Sequence, residues 1–201
     1  LRIVVTRGVG ELTYDPAACP RPTIVIIALP HRRIPDAILR DGVSVVVARV
    51  LRNHPRSVDP SIKSNNLLNN VLAMQEAIRQ GAYEAILLNH RGELTECSQS
   101  NLFAVRDGVV LTPPRDAGLL DGVTRNFLFE VGAELGVPVR EAVLRHADLA
   151  QVDELFITST SAPPAIEGIE SALYFRENAP IPVRRPISRL SRRSADMARQ
   201  R

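Results

Sequence analysis

An α+β fold with mostly antiparallel strands is what this 201-residue sequence predicts, on three observations. Short β-branched runs outnumber helical stretches. Tight turns such as Arg106-Asp107-Gly108 join neighbouring runs into hairpins. Helix-spaced apolar positions occur in only a few places, so strands do not alternate with helices as a doubly wound parallel sheet requires.

The elements follow in order. Residues 2–7 and 23–29 are rich in Val and Ile and predict strands, joined by a Pro-containing connection at 15–22. Pro30 and Pro35 mark a loop before a strand at 42–50, and Pro55 and Pro60 mark another after it. A helix is expected over 64–80, where Leu67, Leu68, Val71, Leu72, Gln75 and Ile78 share one face. Ser64 or Asn65 is the expected cap, and Gly81 the stop. Strands at 83–89, 93–96 and 101–105 come next, then the hairpin into Val109-Val110-Leu111. A second helix is expected from Thr124 to Leu135, with Phe127, Leu128, Val131 and Leu135 on one face, ended by Gly136 and Pro138. A strand at 137–143, a short helix near 147–151 and a strand at 154–158 complete the pattern. From 162 onward prolines are frequent and periodicity is lost.

Composition narrows the function classes. Hydrophobic residues make up 45% and aromatics 4%, with no Trp, so the core is aliphatic. No apolar run approaches the roughly 20 residues that span a bilayer. The chain opens on a strand-like run without a charged leader and without Met, from which a fragment or a processed chain is expected, while its two cysteines make a cytosolic setting the simplest expectation. Cys19 and Cys97 form no disulfide framework, and His31, His54, His90 and His146 are scattered, so no metal site is expected. Residues 176–201 carry eight arginines against Glu177 and Asp196, while the rest of the chain is slightly acidic. This basic stretch is expected to be a poorly packed tail; it lacks interleaved aromatics beyond Tyr174 and Phe175 at its edge, so nucleic acid is not the expected partner.

One residue type stands out. Among 25 Lys+Arg residues only Lys63 is a lysine. Arginine cannot be deprotonated in a protein, whereas a lysine amine can, and it can then attack a carbonyl. At a helix entrance, beside Ile62, it is expected to be partly desolvated. Glu96 lies in Leu94-Thr95-Glu96-Cys97-Ser98-Gln99-Ser100-Asn101, an odd place for a carboxylate, and could hold a heterocyclic nitrogen. Gly122-Val123-Thr124-Arg125 opens a helix whose free N–H groups suit an anion, and Thr158-Ser159-Thr160-Ser161 ends a strand in four hydroxyls. An amine, a carboxylate and two anion cradles together suit pyridoxal 5'-phosphate.

Six segments in this order resemble the class IV aminotransferases, the fold-type IV family of pyridoxal-phosphate enzymes. They are Val-Thr-Arg-Gly (5–8), Ile-Lys-Ser-Asn-Asn-Leu-Leu (62–68), Tyr-Glu-Ala-Ile-Leu-Leu (83–88), Leu-Thr-Glu-Cys-Ser-Gln-Ser-Asn-Leu-Phe (94–103), Gly-Leu-Leu-Asp-Gly-Val-Thr-Arg (118–125) and Asp-Glu-Leu-Phe-Ile-Thr-Ser-Thr-Ser (153–161). The resemblance covers residues 1–165. It implies the large cofactor-binding domain, with residues 1–30 the tail end of a small N-terminal domain that is otherwise missing, and 166–201 a divergent tail. It implies that Lys63 forms the Schiff base with the cofactor and shuttles the substrate proton. Glu96 then partners the pyridine nitrogen, Leu120 packs on the ring, and Val123, Thr124, Ser159 and Thr160 bind the phosphate. The implied reaction is amino transfer between an amino acid and a 2-oxo acid, of branched-chain or D-amino acid type, in a homodimer. The D-amino acid branch carries an Arg-x-His carboxylate trap where this chain reads Leu12-Thr13-Tyr14. Alternatives are an aminodeoxychorismate lyase, releasing pyruvate, and an inactive remnant.

Overall fold

The structure is a computed structural model that describes residues 1–30, 35, 38 and 42–159, together with the backbone of 172–174. It divides into two compact units, Leu1–Arg32 and Arg33–Arg201. The first unit is an antiparallel hairpin of β1 (Arg2–Thr6) and β2 (Thr23–Ile27), in register from Arg2 opposite Ile27 to Thr6 opposite Thr23. This register lines Ile3, Val5, Ile24 and Ile26 along one face, all exposed. The connection is irregular but tied. Asp15 caps a 3-10 turn at Pro16–Ala18 by accepting from the Ala17 N–H at 2.9 Å, and the Arg7 guanidinium donates to the Asp15 carbonyl.

The second unit holds two sheets and two α-helices among the described residues. Strand β3 (Val45–Val47) pairs in parallel with β4 (Glu84–Leu88), which pairs antiparallel with β5 (Leu94–Cys97). The larger sheet contains β6 (Asn101–Arg106), β7 (Val109–Thr112), β8 (Val139–Glu141), β9 (Glu154–Thr158) and β10 (Ala172–Tyr174), in the order β10-β9-β6-β7-β8. All its pairings are antiparallel except β7 with β8. The mostly antiparallel mixed fold therefore stands, with two parallel pairs inside it. Strand β10 departs from the sequence expectation: its three residues pair with the edge of β9 inside the stretch expected to be a tail. The remainder of that stretch lies outside the described residues.

Strand β6 is buried on both faces. Leu102 and Ala104 join Ile86, Leu94 and Ile157 in one core cluster, and Phe103 and Val105 join Leu128 and Phe156 in another. Phe103 and Phe156 stack with centroids 5.0 Å apart. This double burial makes β6 the stiff element beside which the candidate site is built.

Helix α1 (Leu68–Arg79) corrects two expectations. It starts at Leu68, with Leu67 as the N-cap and no side-chain cap, so neither Ser64 nor Asn65 fills that place. Its aliphatic row faces outward: Leu68 is 66% exposed, and Leu67, Val71, Leu72 and Ile78 are exposed as well. The buried face is Asn69, Ala73, Glu76 and Ala77. Small residues decide this, because Ala73 and Ala77 let the helix approach Ala48 and Ala85 closely. Glu76 adds to it by accepting from the backbone N–H groups of Arg49 and Val50 at 2.9 and 3.3 Å.

Helix α2 (Val123–Leu135) ends as expected, with Gly136 in the left-handed conformation at φ 68°. Its buried face is rotated from the expected one. Arg125, Leu128, Val131 and Gly132 point inward, and Phe127 is exposed. Arg125 is 1% exposed and is held by Glu141 and the Pro113 carbonyl. A guanidinium with such partners can occupy a position that apolar periodicity reserves for Phe or Leu.

Candidate functional site

Glu96 anchors the site. All four residues of β5 are buried, and Glu96 is 5% exposed. Burial pushes its carboxyl up to about 7 from the ordinary 4.5, against the pull of Arg52, the Leu120 N–H and Lys63. Arg52 Nη2 lies 2.6 Å from Glu96 Oε1. Glu96 Oε2 accepts from the Leu120 N–H at 3.0 Å and from Asn101 Nδ2 at 3.3 Å. Asn101 also donates to the Leu120 carbonyl at 2.8 Å, so the Leu120 backbone is tied on both sides and its half-buried side chain is held beside the carboxylate.

Gly122 is required by the same knot. A Cβ there would meet Asn101 Oδ1 at 2.1 Å, so any side chain would push apart the asparagine and the loop it fixes. Gly122 is also the N-cap of α2, and it makes no side-chain cap; no acidic residue occupies the first turn. The first intrahelical bond reaches the Gly122 carbonyl from the Asn126 N–H. The N–H groups of Val123 and Thr124 therefore precede the helix's own bonding and carry the positive end of its dipole. At the other expected cradle, Thr158 is buried at the end of β9 and its Oγ1 has no hydrogen-bond partner among the described residues. Ser159 is half-buried beside it, and Thr160 lies outside the described residues.

Lys63 lies five residues before α1 in an irregular stretch, and it is exposed, so the expected desolvation is not seen. The helix does not reach back to 64, so it does not cover the amine. Its charge is nevertheless close enough to hold down the Glu96 carboxyl.

The sequence reading missed Arg52. Its guanidinium donates from Nη1 to Asn69 Oδ1 at 3.1 Å and Asn70 Oδ1 at 3.2 Å. Asn69 Nδ2 donates to the Leu51 carbonyl, and Asn70 Nδ2 to the Ser98 carbonyl at 2.8 Å. The available signal was the pair Asn69-Asn70 in a first helical turn, where asparagine is a poor helix former unless its amide is used elsewhere. No group of His, Cys, Asp and Glu among the described residues could hold a metal ion, and no described helix is long and apolar enough to cross a membrane.

Residues 1–164 match the family model described as amino-transferase class IV. The chain is 42% identical over 144 residues to a D-alanine aminotransferase of Listeria monocytogenes, covering 64% of this chain and 49% of that protein. It is 35% identical over 164 residues to the branched-chain-amino-acid aminotransferase of Escherichia coli K12, covering 81% of this chain and 53% of the relative. A crystal structure of the Escherichia coli branched-chain enzyme matches with a TM-score of 0.77 at 29% identity, covering 87% of this chain and 56% of that one. The structure of 4-amino-4-deoxychorismate lyase from Pseudomonas aeruginosa matches with a TM-score of 0.79 at 27% identity, covering 98% and 69%. The chain thus spans about half the length of the curated relatives it matches.

Proposed function

The chain belongs to the class IV aminotransferase family, and from that premise we propose that it is the pyridoxal-phosphate-binding large domain of an enzyme that moves an amino group between an amino acid and a 2-oxo acid. In this reading residues 1–30 are the end of a small N-terminal domain, and the working unit is a cytoplasmic homodimer. The exposed aliphatic row of α1 favours such association.

The observation that carries the reading is the carboxylate of Glu96, buried and held by Arg52 and the Leu120 N–H within charge reach of the chain's single lysine. The residues fit the cofactor. Lys63 supplies the amine for the aldehyde, Glu96 an acceptor for the ring nitrogen, and Leu120 an apolar face for the ring. The bare N–H groups of Val123 and Thr124 suit the phosphate, together with the hydroxyls of Ser159 and Thr160. When bound, pyridoxal 5'-phosphate supplies an aldehyde that takes up the amino group and a ring that accepts an electron pair. The chain's own work is then proton handling and positioning. Lys63 Nζ would take up the proton removed from the substrate Cα, and its exposed position leaves the side chain free to move. Glu96 would accept from the ring nitrogen and so favour positive charge at that end of the site.

A second reading is favoured by one observation, the match to the lyase structure over nearly the whole chain. The same lysine and cofactor would then eliminate pyruvate from aminodeoxychorismate. The deciding experiment supplies each substrate to the cofactor-loaded protein. Amino-group transfer that needs a 2-oxo acid acceptor is expected. Pyruvate release from aminodeoxychorismate with no acceptor present would establish the lyase instead.

A further inference from the structure

We propose that Arg52 is a positioning residue for Glu96: it holds the side chain as an acceptor-only carboxylate and leaves one acceptor site for the ring nitrogen of the cofactor. The proposal rests on the functional reading above, but its first test does not need the cofactor. An ionised carboxylate offers about four lone-pair sites. Arg52 Nη2, the Leu120 N–H and Asn101 Nδ2 take three of them. A protonated carboxyl would instead carry an O–H, and would present a donor where the ring nitrogen needs an acceptor.

The geometry around Arg52 is built for this task. Its Nη1 is gripped by Asn69 and Asn70 on the first turn of α1, and Asn70 continues to the Ser98 carbonyl between β5 and β6. The grip therefore spans the 51–53 segment, the helix that follows Lys63, and the turn that follows Glu96. Arg52 itself is 8% exposed, so its charge acts on Glu96 with little screening by water. Among the described residues, the charged groups that act on Glu96 are Arg52 and Lys63, and Glu84 lies beyond Cys97 on the neighbouring strand. Burial alone drives Glu96 toward the neutral form, and Arg52 opposes that drive by charge and by its hydrogen bond.

The test follows the Glu96 carboxyl directly in the protein free of cofactor. Infrared titration with carboxyl-labelled glutamate reads the protonated band, and Glu96→Gln identifies it by its loss. The wild-type band is expected to titrate at about 7. In Arg52→Met it is expected to move up by about 1–3 pH units. Arg52→Lys, which returns the charge without the fork, is expected to bring it most of the way back. If Arg52→Met does not fold, Arg52→Gln carries the same expectation. An unmoved titration in the neutral variants, or no recovery with lysine, would overturn the proposal. In the loaded protein, the nitrogen resonance of ring-labelled cofactor should show a protonated ring in wild type and loss of that proton in Arg52→Met. Normal titrations in a protein that takes up no cofactor would overturn the functional reading and the cofactor half of this one, leaving the ion pair's effect on Glu96 intact.

Discussion

Glu96 lies in a strand with its carboxylate closed in by Arg52, Leu120 and Asn101, whereas Lys63 lies exposed on an irregular stretch ahead of α1. Both would touch the same cofactor, one at each end. The difference teaches that one end of the site is part of the folded core and the other is hung from it. Under the proposed function, changes at Glu96 should register in stability as well as activity, and changes at Lys63 in activity alone. A hung amine can swing between cofactor and substrate, which a carboxylate locked in three hydrogen bonds cannot.

The largest effect expected is on activity, from Lys63→Ala. Amino transfer should fall by about 100- to 10,000-fold, as for loss of a positioned acid–base group. Its unfolding free energy should stay within about 0.5 kcal/mol of wild type, as for an exposed side chain. A large loss of stability, read by urea unfolding, would break the comparison from the Lys63 side.

Glu96→Ala should behave in the opposite way. It strands Arg52 as an uncompensated buried charge, and the expected cost is about 3–5 kcal/mol. Unfolding curves at neutral pH check this, and a variant as stable as wild type would show that the pair is not closed off as described. A smaller effect is expected at Glu84, a second buried carboxyl outside the proposed chemistry, which donates nothing when ionised and accepts from Ser100 Oγ at 2.7 Å. Burial pushes it up to about 7 from 4.5, with Ser100, the Gln99 N–H and Cys97 pulling the other way. A carboxyl raised on folding holds its proton longer in the folded chain than in the unfolded one. Its contribution is therefore favourable at low pH and is lost as pH rises from about 4.5 through about 7. Glu96 acts in the same direction. Glu84→Gln should flatten the stability profile across that window by up to about 3 kcal/mol. An unchanged slope between pH 5 and pH 8 would remove Glu84 from the account.

The fold and the site were legible to different depths. The Arg106-Asp107-Gly108 turn was readable because it needs two residues that accept positive φ, and Asp107 and Gly108 take φ of 52° and 76°. The inward face of α1 was not readable, because periodicity counts an aliphatic row as core. It cannot weigh the closer approach that Ala73 and Ala77 allow, or the backbone N–H groups that draw Glu76 inward. Strand β10 escaped because three residues among prolines and arginines carry no repeat of their own; their pairing is supplied by β9. In the site, Lys63 and Glu96 stood out by type and placement. Arg52 did not, being one of many arginines, and only its burial against Glu96 distinguishes it.

The single lysine is the proposed point of attachment of the cofactor, and borohydride reduction tests this most directly. The protein is incubated with pyridoxal 5'-phosphate, reduced, digested and mapped by mass spectrometry. One phosphopyridoxyl group is expected, on Lys63, and none on Lys63→Ala. A protein left unlabelled, or labelled only at its N-terminal amine, would contradict it.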